Sequence, residues 1–457
     1  MTRSLLYLAY FFPPRGGAAV QRSLKFAKYL PQFGWRPLVV ANGGGNRDTA
    51  TAVQDPTLLK ELSPDAFIRY TTLTSAEQRR HDRAQSKFMQ RLNVTDPMRW
   101  WVDPAIRLGL EIVREHQPRA IVVTMSPFTA ARAGTELKRL TGLPLVIDLR
   151  DPWALDETRI YPTRWHARRD HVAMRKALAA ADLVIMNTPQ SAAAVGQRFA
   201  PEIRGDGAAS PSKVIAITNG YDASDFGRGN LAPAPPDVLR IVHTGMFHSE
   251  LAEVWDDLEA GRGMMNKLKC ARRPINLWTR TPRYLLEAME QAIARGDIPD
   301  GKLELVLVGE ISAHDRDMVE RSPVAKMVRL LGYRSHAESV AWLESADLLF
   351  LPLHTPLDGG PALIVPGKAY EYLGSGRPIL AMCPNGDMRD FISNSNSGIV
   401  TSGADVPAAA HALSQFYRAK IEGSPIIRQN RPAIERFERR ELTRRLATAL
   451  DELVAPV

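Results

Sequence analysis

Pro366-Gly367-Lys368-Ala369-Tyr370-Glu371-Tyr372-Leu373-Gly374 comes shortly after the apolar run Asp347-Leu348-Leu349-Phe350-Leu351-Pro352-Leu353, with Gly359-Gly360 in the loop between them. The run has the length and composition of a buried strand, and the proline opens a short helix. The stretch therefore reads as a strand-loop-helix unit whose helix N-terminus offers backbone N–H groups to an anion. In that helix Lys368 and Glu371 are three residues apart and share a face. A cation and a carboxylate at one crevice suit a nucleotide: the cation and the helix end face phosphate, and the carboxylate accepts hydrogen bonds from a ribose diol. A solvated Lys/Glu pair on an ordinary surface helix has the same spacing, so the neighbouring segments have to decide.

Those segments continue the alternation of strands and helices. Toward the N-terminus of this half lie a strand at residues 239–244 followed by Gly245, a helix at 283–294, a strand at 303–309 ending on Gly309, a strand at 328–331 and a helix at 335–345. Thr281 is placed to cap the first of these helices with Pro282 at its first position, which puts Arg280 at the mouth of a helix N-terminus. Residues 246–278, rich in Met, Lys and Arg, read as an insertion. We delimit this domain as 237–428, preceded by a Pro-rich linker. A last helix in 429–457 is expected to pack back toward the N-terminal domain.

The first half, residues 1–228, opens with a strand at 5–12, the loop Pro13-Pro14-Arg15-Gly16-Gly17, a helix at 21–33 and a strand at 37–41, a βαβ start. It lacks the spacing G-x-G-x-x-G, which argues against a dinucleotide cofactor, but Gly16 and Gly17 still let a phosphate or sugar approach the backbone. Residues 43–103 form a polar excursion with Arg79, Arg80, Arg83, Lys87, Arg91 and Trp100-Trp101, read as a lid or acceptor-side insertion. Regular alternation resumes from 105 to 218. The fold class expected is α/β, with parallel, doubly wound sheets. Functional residues in such sheets gather beyond the carboxyl ends of strands. There Asp148-Leu149-Arg150-Asp151-Pro152-Trp153 sends three charged groups toward a crevice, unless Arg150 and Asp151 simply pair with each other.

Composition narrows the function classes. The chain has 457 residues, which implies two domains, and is 45% hydrophobic and 24% charged. Its formal net charge of +9 suits a phosphate-bearing substrate, an anionic membrane surface or nucleic acid, and plain Arg-rich solubility equally well. Nucleic acid is disfavoured because the basic residues are scattered and no recognition motif is present. Cys270 and Cys383 are far apart in sequence and lack neighbouring ligands, which excludes a disulfide framework and a structural zinc site. The run at 5–12 is too short, and too soon followed by prolines, to read as a signal peptide. The expected address is the cytoplasm. Arg164, Arg168, Arg169, Arg175 and Lys176, with Trp165 and Val172 between them, keep open a peripheral contact with an anionic membrane surface at the inner face.

Taken together, Tyr10 to Gly17, Asp148 to Trp153, Asn219-Gly220-Tyr221-Asp222, Gly309 and Pro366 to Leu373 resemble the pattern of retaining glycosyltransferases of family 4, the glycosyl transferases group 1, in order and spacing over nearly the whole chain. The resemblance implies the GT-B fold, two Rossmann-like domains facing each other across a cleft. It also implies transfer of a sugar from a nucleotide-sugar donor to an acceptor hydroxyl with retained configuration and without a metal. The acceptor would be a glycan, a lipid-linked sugar or a small molecule, as in cell-surface glycan, glycolipid or natural-product glycoside synthesis. No cofactor is implied, since the nucleotide-sugar is a substrate.

By the same resemblance, Glu371 matches the glutamate that grips the ribose, and Gly16 and Gly17 match the glycine loop near the diphosphate. Gly245 and Gly309 fall in the donor site, Arg280 and then Lys368 are the candidates that neutralise the diphosphate, and Arg150 and Asp151 match a position that touches sugar or acceptor. One departure stands out. The family often has another glutamate eight residues before Glu371, and here that position is Leu363. Its sugar contact is absent or comes from Asp358 or the amides of Gly359 and Gly360. That departure motivates a different reading, a catalytically silent nucleotide-sugar-binding protein; a nucleotide-sugar epimerase on the same fold is a further alternative.

Overall fold

The computed structural model describes residues 3–43, 54–84, 95–204, 213–262 and 268–455. Lys87 and Arg91 lie outside the described residues. The chain divides into two units, Met1–Gly220 with Arg439–Val457, and Tyr221–Glu438.

The first unit is built on seven parallel strands: β1 (Arg3–Ala9), β2 (Trp35–Ala41), β3 (Phe67–Tyr70), β4 (Ala120–Met125), β5 (Leu145–Leu149), β6 (Leu183–Met186) and β7 (Val214–Ala216). Their order across the sheet is β3-β2-β1-β4-β5-β6-β7. The second unit has six: β8 (Leu239–Thr244), β9 (Leu303–Val308), β10 (Val328–Gly332), β11 (Leu348–Pro352), β12 (Ile379–Met382) and β13 (Gly398–Thr401), in the order β10-β9-β8-β11-β12-β13. Parallel strands covered by helices on both faces read as unbroken apolar runs, and every residue of β4, β5, β8 and β11 is buried. In each unit the strand order reverses at one point, between β1 and β4 and between β8 and β11. Loops at the carboxyl ends of those strands are where ligands bind in such sheets.

Three parts of the chain differ from the sequence reading. Within the 43–103 excursion, β3 joins the main sheet beside β2 and Ser75–Ala84 is helical. A four-residue edge strand, half-buried at three residues and exposed at Tyr70, carries too little pattern to stand out. Within 246–278, Ser249–Glu259 is a helix and Leu277–Arg280 a 3-10 turn. Finally, the C-terminal segment is two helices, Arg431–Glu435 and Arg439–Val454. Its apolar residues serve different cores: Ile434 and Phe437 pack in the second unit, whereas Leu442, Leu446 and Leu450 pack against β1 and β2 residues in the first. Trp35 Nε1 donates to Asp451 Oδ1 at 2.7 Å and fixes that last helix.

The peptide passes into the second unit at Tyr221 and leaves it after Glu438, and those two positions are neighbours. Tyr221 N donates to the Phe437 carbonyl at 3.1 Å, and Tyr221 and Glu438 form an isolated parallel bridge. Among the described residues no helix is long and apolar enough to cross a membrane.

Candidate functional site

In the second unit the quoted segment forms α4 (Gly367–Ser375), numbered after α1 (Ala18–Tyr29), α2 (Arg164–Ala180) and α3 (Arg283–Ala294). Ala369, Tyr370, Tyr372 and Leu373 turn into the core, which leaves Lys368 and Glu371 half-buried on the other side of the helix. No side chain caps the helix at Pro366. Two contacts seat it. Tyr372 OH accepts from Thr244 N at 2.8 Å, at the end of β8. The Tyr221 ring packs so closely on Gly374 that a Cβ there would lie 2.5 Å from it.

Lys368 reaches back across the loop after β8. Gly245 has φ +94°, which favours glycine, and an added Cβ would crowd Lys368, 3.0 Å from its Nζ and 3.1 Å from its Cε. Gly309, φ +141°, follows β9 and is equally constrained, since its Cβ would fall 2.8 Å from the Gly245 backbone. The ammonium then meets His243 Nε2 at 2.9 Å and the Met246 carbonyl at 3.4 Å. Burial, then the nearby Arg280 charge, push the Lys368 ammonium down to about 7, with Glu371 opposing them. Burial, then the charge of Lys368, hold His243 well below the usual imidazole range. Burial and Arg280 push His248 down to about 3. Arg280 ends the 3-10 turn before α3, where Thr281 Oγ1 accepts from Arg283 N at 3.3 Å and Pro282 occupies the cap. Two cations and two imidazoles kept neutral by burial make this end of the sheet attractive to an anion.

Glu371, one turn along α4, lies 3.9 Å from His336 Nδ1, and His336 Nε2 lies 3.2 Å from Asp225 Oδ2. Asp358 goes elsewhere. It pairs with Arg273, whose hydrogen bond holds its carboxyl below the usual range, and accepts from Gly360 N at 3.1 Å. Arg273 also donates to the Pro361 carbonyl at 3.1 Å, and Ile275–Asn276 pairs antiparallel with Thr355–Pro356. Asp358, Gly359 and Gly360 thus belong to a braced loop, and Leu363 follows it between buried Ala362 and Ile364. The structure brings Lys368, Glu371, Arg280, Gly245 and Gly309 to one end of this unit.

In the first unit, Gly17 (φ +91°) precedes α1 without a side-chain cap. Arg150 joins the first turn of α1 to the end of β4. Its guanidinium donates to the carbonyls of Ala19, Met125 (2.8 Å) and Ser126 (3.3 Å), so it braces backbone before it can meet a substrate. Asp148 does not face a crevice as expected. It is buried and salt-bridged to buried Arg22 at 2.6 Å, and also accepts from Thr124 Oγ1 at 2.9 Å. Arg22 donates as well to the carbonyls of Thr218 and Ile217 at 2.7 and 2.9 Å.

Sequence reasoning missed Arg22, His243, His336 and Arg273. His243 alone carried a signal, a polar residue near the end of an apolar strand just before a glycine.

Comparison with known proteins adds the family. Residues 16–205 match the glycosyl transferase 4-like domain, and residues 274–419 match the glycosyl transferases group 1 domain. Over 140 residues, 30% of this chain, the sequence is 26% identical to WcaL of Escherichia coli (strain K12), assigned as a colanic acid biosynthesis glycosyltransferase. That match spans about a third (34%) of the relative's length. Sucrose-phosphate synthase from Thermosynechococcus elongatus shares the fold, with a TM-score of 0.62 over 99% of both chains at 12% identity. So does HepE of Anabaena, solved in complex with UDP-glucose, with a TM-score of 0.53 over 98% of this chain and 100% of that one at 16% identity. The two α/β units are those of the GT-B fold. With matches to both halves of the family pattern on either side of Tyr221, the chain belongs to the glycosyl transferases group 1.

Proposed function

We propose that this protein is a retaining glycosyltransferase that moves a sugar from a nucleotide-sugar to an acceptor hydroxyl without a metal. The observation that carries this reading is the Lys368 stem crossing Gly245 at the end of β8, with the Arg280 charge acting on its ammonium and the Glu371 carboxylate one helical turn away. Cleaving the bond between the anomeric carbon and the diphosphate builds positive charge on the sugar and negative charge on the leaving group. Fixed cations at the leaving group lower that barrier. In this reading Arg280 and Lys368 hold the diphosphate and Glu371 grips the ribose.

The acceptor class we propose is a cell-surface glycan or a lipid-linked sugar. α2 supports a peripheral contact with an anionic membrane. Arg164, Arg168, Arg169, Arg175 and Lys176 are exposed along it, and Trp165 is 54% exposed. Its one acidic residue, Asp170, is buried and accepts from Trp153 Nε1 at 3.0 Å.

The test is incubation with a panel of UDP-, GDP-, ADP- and dTDP-sugars and a membrane-lipid extract, with NMR of the product's anomeric centre. Transfer with retention supports the proposal. Tight binding with neither hydrolysis nor transfer supports the silent nucleotide-sugar-binding protein raised by Leu363, and interconversion of the donor supports an epimerase. Within the proposal, Glu371→Ala is expected to weaken nucleotide binding by ~1.5–3 kcal/mol, the value of a hydrogen bond to a charged group. Calorimetry showing unchanged affinity would remove Glu371 from the ribose.

A further inference from the structure

His243 is 1% exposed inside β8, where an isoleucine or valine would fill the space as well. Instead an imidazole is fixed on three sides. Its ring stacks on Phe247 with centroids 4.1 Å apart and planes 11° apart, and Phe350 lies across it at 5.8 Å. Its Nδ1 meets the Phe350 carbonyl at 2.9 Å, and a carbonyl can only accept, so Nδ1 carries the hydrogen. In the neutral ring that leaves Nε2 as a lone-pair acceptor, aimed at Lys368 Nζ 2.9 Å away. The lysine stem crosses Gly245 to reach it.

We propose that His243 is a positioning residue: its neutral Nε2 accepts a hydrogen bond from the Lys368 ammonium and holds that charge where the donor diphosphate binds. The inference rests on the donor-site reading above and adds a consequence to it. The groups that face this ammonium are His243 from β8, His248 from the segment after it, Arg280 from the turn before α3, and Glu371 from α4 itself, while His354 acts on His248. Only Glu371 is acidic among them. With no anion bound, Lys368 is therefore about half protonated near pH 7. A bound diphosphate restores its proton from solvent, so the complex holds more protons than the free protein. Affinity is then highest below about pH 7 and falls by up to about tenfold per pH unit above it, until the bound lysine itself titrates.

Two substitutions separate the roles of the ring nitrogens. His243→Gln places an amide oxygen at the Nε2 position and loses the bond to Phe350. His243→Asn keeps a donor toward Phe350 and has nothing at Nε2. The probes are UDP-glucose, whose esterified phosphates keep their charge between about pH 6 and about pH 9, and inorganic pyrophosphate, titrated into the full chain, with Lys368→Met as the control. Positioning predicts that His243→Gln binds UDP-glucose within about twofold of the wild type and keeps the pH slope. It predicts that His243→Asn loses about tenfold or more and flattens the slope. If His243→Asn binds as well as His243→Gln, with the same slope, the role is overturned and His243 is a core residue. If Lys368→Met abolishes binding while both histidine variants bind normally, the donor site stands and this inference falls. If neither probe binds the wild type, the donor-site reading falls first and takes the inference with it.

Discussion

Arg280→Ala is expected to lower turnover by about 10²–10³-fold, equivalent to ~2.7–4 kcal/mol of lost transition-state stabilisation. Arg280 stands beside the N-terminus of α3, and its charge is felt at Lys368, His243 and His248. In the proposed donor site it acts on the side where the leaving diphosphate gains charge. Removing it also relieves Lys368, since Arg280 is the second cause, after burial, that depresses that ammonium. Lys368 then stays protonated to higher pH and sustains part of the ground-state attraction. The loss is therefore expected mainly in kcat, with KM changing less, and Arg280→Lys should recover only part of it because an ammonium lacks the planar fork of donors. Steady-state kinetics of the three proteins decide it. Unchanged turnover in Arg280→Ala would assign the leaving group to Lys368.

Asp148→Asn should destabilise the first unit by ~3–5 kcal/mol, because it leaves the Arg22 guanidinium buried without its counter-charge. That guanidinium is bonded to Asp148 and to the carbonyls of Ile217 and Thr218, so it ties α1, the end of β5 and the segment after β7. The loss should appear in the denaturation midpoint of the first unit and leave the second unit's transition in place, so the two should be followed by separate probes. Arg22→Met with Asp148→Asn is expected to recover part of the stability, since a buried pair contributes less than either orphaned partner costs. A midpoint shift worth under about 1 kcal/mol for Asp148→Asn alone would mean that water reaches Arg22.

The contrast between these two arginines shows what a sequence discloses. Arg280 was readable because local signals surround it: a Thr-Pro helix start and an apolar helix behind it. Arg22 and Asp148 are 126 residues apart, and nothing near either one names the other. Asp148 at a strand end looked like a crevice residue, which it would be if α1 did not cover it. The parallel strands were legible because burial on both faces makes them continuously apolar, and α3 and β8 fall on the boundaries expected. β3 was not, being a short edge strand. The last helix was misread as one because Ile434 and Leu442 have compatible spacing; the chain departs from that period only where the two apolar sets find separate cores. Within the candidate site, Lys368 and Glu371 were visible from their shared helix face, whereas the imidazole that meets Lys368 comes from a strand 125 residues earlier.

The bridge between Tyr221 and Glu438 gives the polypeptide the topology of a parenthesis. Residues 221–438 open and close at one place, so the surrounding unit is a host interrupted once, with its own two segments, up to Gly220 and from Arg439, rejoined by a single short gap. Residues 221–438 are therefore a cassette that can be lifted out at adjoining termini, or exchanged for that of a relative, without cutting any strand of either sheet. Under the proposed donor site, replacement of this nested segment is a route to altered donor preference, alongside point substitution around Lys368 and Glu371.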